Sequence, residues 1–242
     1  VNRTLVAAAA LAAALSPAAA QTRSFKADGV RALKIEAEAG DVEVRAGKEL
    51  AVEVTANDKP ERCALTLERR GDALFLKAES VSKGFSLGLH VNEGCGAGFR
   101  VTAPAALSLD ASVGSGKIAV TARRGALVLR AGSGDVTLDG VAGDVDVKTG
   151  SGGVAGAVLG RVSARTGSGD VKLTWSAAPE GRVDVKTGSG DVALSFPKGT
   201  KLRASQVSGS GTARNGLGDS PDAKLAVSIV TGSGNSTIEA PL

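Results

Sequence analysis

The tripeptide Gly-Ser-Gly occurs seven times in the second half of the chain, at residues 114–116, 132–134, 150–152, 167–169, 188–190, 209–211 and 232–234. Successive copies start 18, 18, 17, 21, 21 and 23 residues apart. Self-similarity at such a period marks a repeat architecture, in which each unit buries its apolar face only by stacking on its neighbours. The flanks repeat as well. Asp144-Val145-Asp146-Val147-Lys148-Thr149 precedes one copy, and Arg182-Val183-Asp184-Val185-Lys186-Thr187 precedes another. Asp135-Val136-Thr137-Leu138, Asp170-Val171-Lys172-Leu173 and Asp191-Val192-Ala193-Leu194 follow their triplets.

These flanks alternate strictly. Val145, Val147 and Thr149 fall on one side, and Asp144, Asp146 and Lys148 on the other, which is the period of a half-buried strand. Each unit therefore reads as strand, Gly-Ser-Gly turn, strand, and a second turn such as Asp139-Gly140-Val141-Ala142-Gly143. The turn glycines are Gly114, Gly116, Gly132, Gly134, Gly150, Gly152, Gly167, Gly169, Gly188, Gly190, Gly209, Gly211, Gly232 and Gly234. Glycine is expected there because it accepts positive φ without steric cost.

Two architectures can use this unit. In a solenoid each copy is one rung about 4.8 Å above the last, so seven rungs span roughly 30 Å. In an antiparallel β-sandwich each copy is a hairpin. Near-constant spacing favours the solenoid, since it stacks like over like. Composition agrees: with five Phe, one Trp and no Tyr, the interior is filled by small aliphatics, which suit a narrow rung. The expected fold is all-β, a parallel β-helix-like solenoid with rungs of about 18–23 residues. Segments 33–38, 41–45, 50–55, 63–68 and 73–78 are β-like but less regular, with a hairpin at 69–72 and a loose stretch over 80–98. The expected organisation is an export signal at 1–20, an N-terminal β cap over 21–105 and the repeat over 106–242.

Arg3, the apolar run 5–15 and small residues at Ala18 and Ala20 predict a cleavable signal cut before Gln21. The run is too short for the roughly 20 residues of a spanning helix, and no Cys follows it to serve as a lipid anchor. The mature chain is expected to be soluble, without a transmembrane segment, in the periplasm or at the cell surface. Cleavage removes one basic residue and leaves the net charge at +3. The charges are interspersed, so nothing resembles a nucleic-acid footprint. In an exported chain the even pair Cys63 and Cys95 predicts a disulfide closing a loop of about 30 residues, worth on the order of 3 kcal/mol. A metal site using both cysteines and His90 is the alternative, but it lacks the close Cys-x-x-Cys spacing of structural zinc.

Three chemistries can be weighed. Ser115, Ser133, Ser151, Ser168, Ser189, Ser210 and Ser233 share one position, but a hydrolase elbow needs Gly-x-Ser-x-Gly and a nearby base. Calcium between turns needs oxygen ligands on consecutive turns to reach six or more donors; the residues after the triplets are Lys117, Asp135, Gly153, Asp170, Asp191, Thr212 and Asn235, of which only Asp170 and Asp191 are adjacent acids. Glycoside cleavage needs two carboxylates across a groove and aromatic platforms. Trp175 alternates with Val171 and Leu173, which predicts burial, and Asp144, Asp146 and Asp184 point outward. No catalytic, cofactor-binding or metal-ligating residue is expected.

The Gly-Ser-Gly-Asp-Val-x-Leu units, Ala39-Gly40-Asp41-Val42 and Val101-Thr102-Ala103-Pro104 resemble the bacterial "putative adhesin" family of β-strand-repeat proteins, over residues 22–242. The chain is more distantly similar to the head domains of autotransporter adhesins. The resemblance implies a β-helix-like fold in the cell envelope. It carries no catalytic residues with it. A non-catalytic binding or scaffolding role toward an envelope protein or glycan is expected of its faces.

Overall fold

The computed structural model describes residues 22–55, 60–81 and 95–241; the export signal and His90 lie outside them. Its strands are β1 (Thr22–Phe25), β2 (Ala32–Ala37), β3 (Val42–Ala46), β4 (Leu50–Thr55), β5 (Cys63–Arg70), β6 (Ala73–Ser80), β7 (Gly98–Ala103), β8 (Ser108–Val113) and β9 (Ile118–Thr121). The repeat continues with β10 (Leu127–Ala131), β11 (Val136–Val141), β12 (Val145–Thr149), β13 (Val154–Val158), β14 (Val162–Thr166) and β15 (Val171–Trp175). It ends with β16 (Gly181–Ser189), β17 (Val192–Ser195), β18 (Leu202–Ser210), β19 (Ala213–Asn215), β20 (Leu225–Ser233) and β21 (Ser236–Glu239).

Alternation resolves into parallel rungs. Leu127, Leu129 and Ala131 of β10 pair in register with Val145, Val147 and Thr149 of β12, and the same parallel pairing links successive rungs in both sheets. Each rung places its strand before the triplet in a 10-stranded upstream sheet and the strand after it in an 11-stranded downstream sheet. The chain is thus a β-solenoid, and the hairpin alternative is excluded because among the described residues antiparallel pairing is confined to β1–β4, β4–β7 and β5–β6. The inward files of Val, Leu and Ile from both sheets form one continuous core.

The rungs do not stack in chain order. In the upstream sheet the order is β5-β6-β2-β8-β10-β12-β14-β16-β20-β18. Residues 32–46 therefore sit inside the stack, between β6–β7 and β8–β9. At the other end β20–β21 slots between β16–β17 and β18–β19. The expected column of triplets is corrected accordingly, with 232–234 lying between 188–190 and 209–211.

The two ends are finished differently. Inward positions of the outermost β18 turn polar: Gln206 donates to Ser236 Oγ at 2.9 Å, and Ser208 Oγ donates to the Gly234 carbonyl at 2.9 Å. The loop after β19 returns over the edge, where Asp219 accepts from the Ala204 N–H and Ser220 donates to the Leu202 carbonyl. Such side-chain and loop cover blunts an edge that would otherwise template another strand. At the opposite end the hairpin β5–β6 is tied by a disulfide between Cys63 and Cys95, with Cα atoms 5.0 Å apart.

The glycines of the triplets have a different cause from the one expected. Among them only Gly190, Gly211 and Gly234 have positive φ. The shared requirement is space: a Cβ on any of these glycines would lie under 3.0 Å from a backbone carbonyl oxygen of the adjacent rung. The triplets form shallow bends, and in β16, β18 and β20 their first two residues still belong to the strand.

Candidate binding face

Every column proposed from the sequence can be placed. The triplet serines form an exposed file along the bend. Their backbone N–H groups knit the rungs together, as where Ser133 donates to the Gly114 carbonyl at 2.9 Å and Ser168 to that of Gly150 at 3.0 Å. The threonine before a triplet turns inward and caps a carbonyl; Thr149 Oγ1 donates to the Gly152 carbonyl at 2.6 Å.

The aspartate column is a hydrogen-bond ladder. Asp41 Oδ1 accepts the Lys117 N–H at 2.8 Å, and Asp135 that of Gly153 at 2.9 Å. Asp170 accepts that of Asp191 at 2.8 Å, and Asp191 that of Asn235 at 2.7 Å. Asn235 continues it to the Thr212 N–H at 3.0 Å. Thr212 lies on the last rung, where no further rung asks for an acceptor. The carboxylates are thus engaged in joining one rung to the next, and the described residues contain no group of three or more potential metal ligands. Lys117 and Gly153 are the gaps. Replacing Lys117 by Asn would give the Asp135 N–H an acceptor, and is expected to raise the unfolding free energy by about 0.5–1.5 kcal/mol. Urea denaturation reads this directly, and an unchanged or lower midpoint would count against the ladder.

Trp175 is buried, as its alternation predicts. Its ring stacks on Phe196 with centroids 4.5 Å apart, and its Nε1 donates to the Gly160 carbonyl at 3.0 Å. It is not a sugar platform. Arg123, which the sequence did not single out, is fully buried in a corner. Its guanidinium donates to the carbonyls of Ala103, Pro104 and Leu107 at 2.8–2.9 Å, and burial lowers its pKa from the ordinary value.

The outward face of the upstream sheet carries a file of cations. Parallel register aligns Arg130 with Lys148, Lys148 with Arg165, and Arg165 with Lys186, all exposed. The same file continues past Lys186 to Val230 and Val207, two of the exposed large apolar side chains. In the other direction it runs through Ser112, Glu36 and Lys77. The short Ser112 side chain leaves an open groove of about 380 Å³ there, walled by Lys34, Glu36, Lys77, Glu79, Asp110 and Arg130.

Beside the cations runs a file containing Asp110, Asp146 and Asp184. Asp110 pairs with Arg130 at 2.6 Å and Asp146 with Arg165 at 3.7 Å. Arg182 holds Asp184, and Arg161 holds Asp144. Hydrogen bonds from these arginines lower the pKa of Asp184 and of Asp144 from the usual carboxylate value. Among the described residues Lys148 and Lys186 form no ion pair, although the Lys186 charge also helps to lower the pKa of Asp184.

No helix among the described residues is long and apolar enough to cross a membrane. Comparison with curated proteins finds no match. Solved structures share the architecture. A protein from Bacteroides fragilis described as a putative adhesin is 14% identical, covering 91% of this chain and 96% of its own, with a TM-score of 0.53. One from Parabacteroides distasonis, described as a putative lipid binding protein, is 19% identical over 89% of this chain and 96% of its own, with a TM-score of 0.50. At such identities the likeness is one of fold. The sequence itself matches the family described as Toastrack DUF4097 across residues 30–216, through the cation file and the ladder from Asp41 to Asp191, and the chain belongs to that family.

Proposed function

We propose that the protein is exported and acts in the cell envelope as a non-catalytic solenoid whose outward sheet face binds or scaffolds an envelope component. The observation that carries this reading is the state of the outward acids. A glycoside hydrolase needs one carboxyl group that keeps its proton near neutrality, which takes a raised pKa. Asp144 and Asp184 are instead hydrogen-bonded by arginines that stabilise their charged forms. Such acids support a fixed charge pattern and not proton transfer. The serine file supports the same reading, since its backbone N–H groups join rungs and a nucleophile needs a base beside it. The descriptions of the fold neighbours, adhesin and lipid binding protein, are both of binding. Incubation with envelope and extracellular polysaccharides should release no new reducing ends. Depolymerisation that disappears in Asp144→Asn or Asp184→Asn would overturn the reading.

A further inference from the structure

The cation file is arranged against its own electrostatics. Like charges directly opposite on neighbouring strands are destabilising, yet Arg130, Lys148, Arg165 and Lys186 stand side by side on four consecutive rungs. Arg130 and Arg165 have acidic partners, while among the described residues Lys148 and Lys186 form no ion pair, Lys186 feeling Asp184 only through its charge. On the side toward the bend the next exposed positions are Gly132, Gly150, Gly167 and Gly188, which offer bare backbone. The triplet serines lie just beyond, with their hydroxyls exposed. The result is a ledge of three parallel tracks, positive charge, open backbone and hydroxyl, each repeating at the rung spacing of about 4.8 Å.

From this geometry, and resting on the binding reading above, we propose that the ledge takes a linear acidic polysaccharide lying along the solenoid axis. A polyuronate carries one carboxylate on every sugar. Because successive sugars are rotated about the chain axis, these reach one side every second or third sugar, which matches the two-rung separation of Lys148 and Lys186. Its hydroxyls are available to the serine track. The glycine track is bare backbone packed against the next rung, with no side chain standing out to hold the sugar rings away. A flat anionic membrane is a poorer match, because Asp146 and Asp184 flank the file and would be pressed against its charge. A nucleic acid would call for aromatic stacking partners, and the outward residues of β10, β12, β14 and β16 include none.

The test measures binding of the purified protein to polygalacturonate at low salt, beside neutral dextran, phosphatidylglycerol vesicles and single-stranded DNA. Polygalacturonate should bind best, and its affinity should fall as salt is raised, as expected of polyanion contacts. The double variant Lys148→Ser/Lys186→Ser should weaken it by roughly tenfold. Lys172→Ser/Lys198→Ser removes the same charge away from the file and should leave it within about twofold of the parent. Both pairs are exposed, and an unchanged melting temperature confirms folding. Equal losses in the two variants, or preference for dextran, vesicles or DNA, would overturn the proposal. So would a lack of binding to polygalacturonate. None of these outcomes touches the non-catalytic reading, which fails only if products appear.

Discussion

Replacing Gly134 by alanine is expected to destabilise the fold by about 4 kcal/mol or more, at the upper end for a single methyl group. The added Cβ would fall far inside van der Waals contact with the Gly116 carbonyl oxygen of the rung below. That oxygen belongs to the backbone, so it cannot swing aside as a side chain would. Relief demands that two rungs separate, which breaks the interlocking hydrogen bonds at Ser133 and its equivalents. Gly134 has no positive φ, so the loss is steric and not conformational. Gly153 is the matched control: its Cβ would meet its nearest neighbour, the Asp170 carbonyl, at 3.2 Å, and alanine there should cost about 1 kcal/mol or less. Urea denaturation followed by circular dichroism compares the two. Similar losses in both variants would refute close approach as the reason for the glycine column.

Truncating Trp175 to alanine is expected to cost about 3–5 kcal/mol. The side chain is 1% exposed and fills the corner above Val158 with its face on Phe196. Alanine would leave a cavity, strip Phe196 of its stacking partner and leave the Gly160 carbonyl without its donor. Trp175→Phe keeps a ring on Phe196 and loses the hydrogen bond, so its cost should be about 1–2 kcal/mol. In a stack stabilised by nearest-neighbour contacts, the alanine variant should also weaken the adjoining rung of Phe196. A loss below about 1 kcal/mol would show that the corner repacks and the aromatic pair is incidental.

The inward and outward sets were legible because a strand has period two. Val145, Val147 and Thr149 can only share a face, whatever sheet they join. Parallel stacking followed from the recurrence of that set at near-constant spacing. The order of the last two rungs was not legible, because the triplets at 209–211 and 232–234 carry the same local pattern. The clue lay at the inward positions, where Gln206 and Ser208 stand in place of Ile229 and Thr231; polar inward residues belong where the core ends. Arg123 was hidden for another reason, since its three carbonyl partners come from the preceding corner and give no pattern at Arg123 itself. The cations looked dispersed because 17 to 21 residues separate Arg130, Lys148, Arg165 and Lys186. Each stands two residues before a triplet, and only the register turns that recurrence into a line.

The interleaved last rung also decides how the solenoid would carry load. A stack assembled in chain order ends on a free outer strand, which a pull on the chain could strip one hydrogen bond at a time. Here β21 lies between β17 and β19, and β20 between β16 and β18. Tension entering through residue 241 would have to slide β21 lengthwise past two partners, breaking both ladders together. The C-terminal end of the solenoid is therefore loaded in shear and not peeled strand by strand.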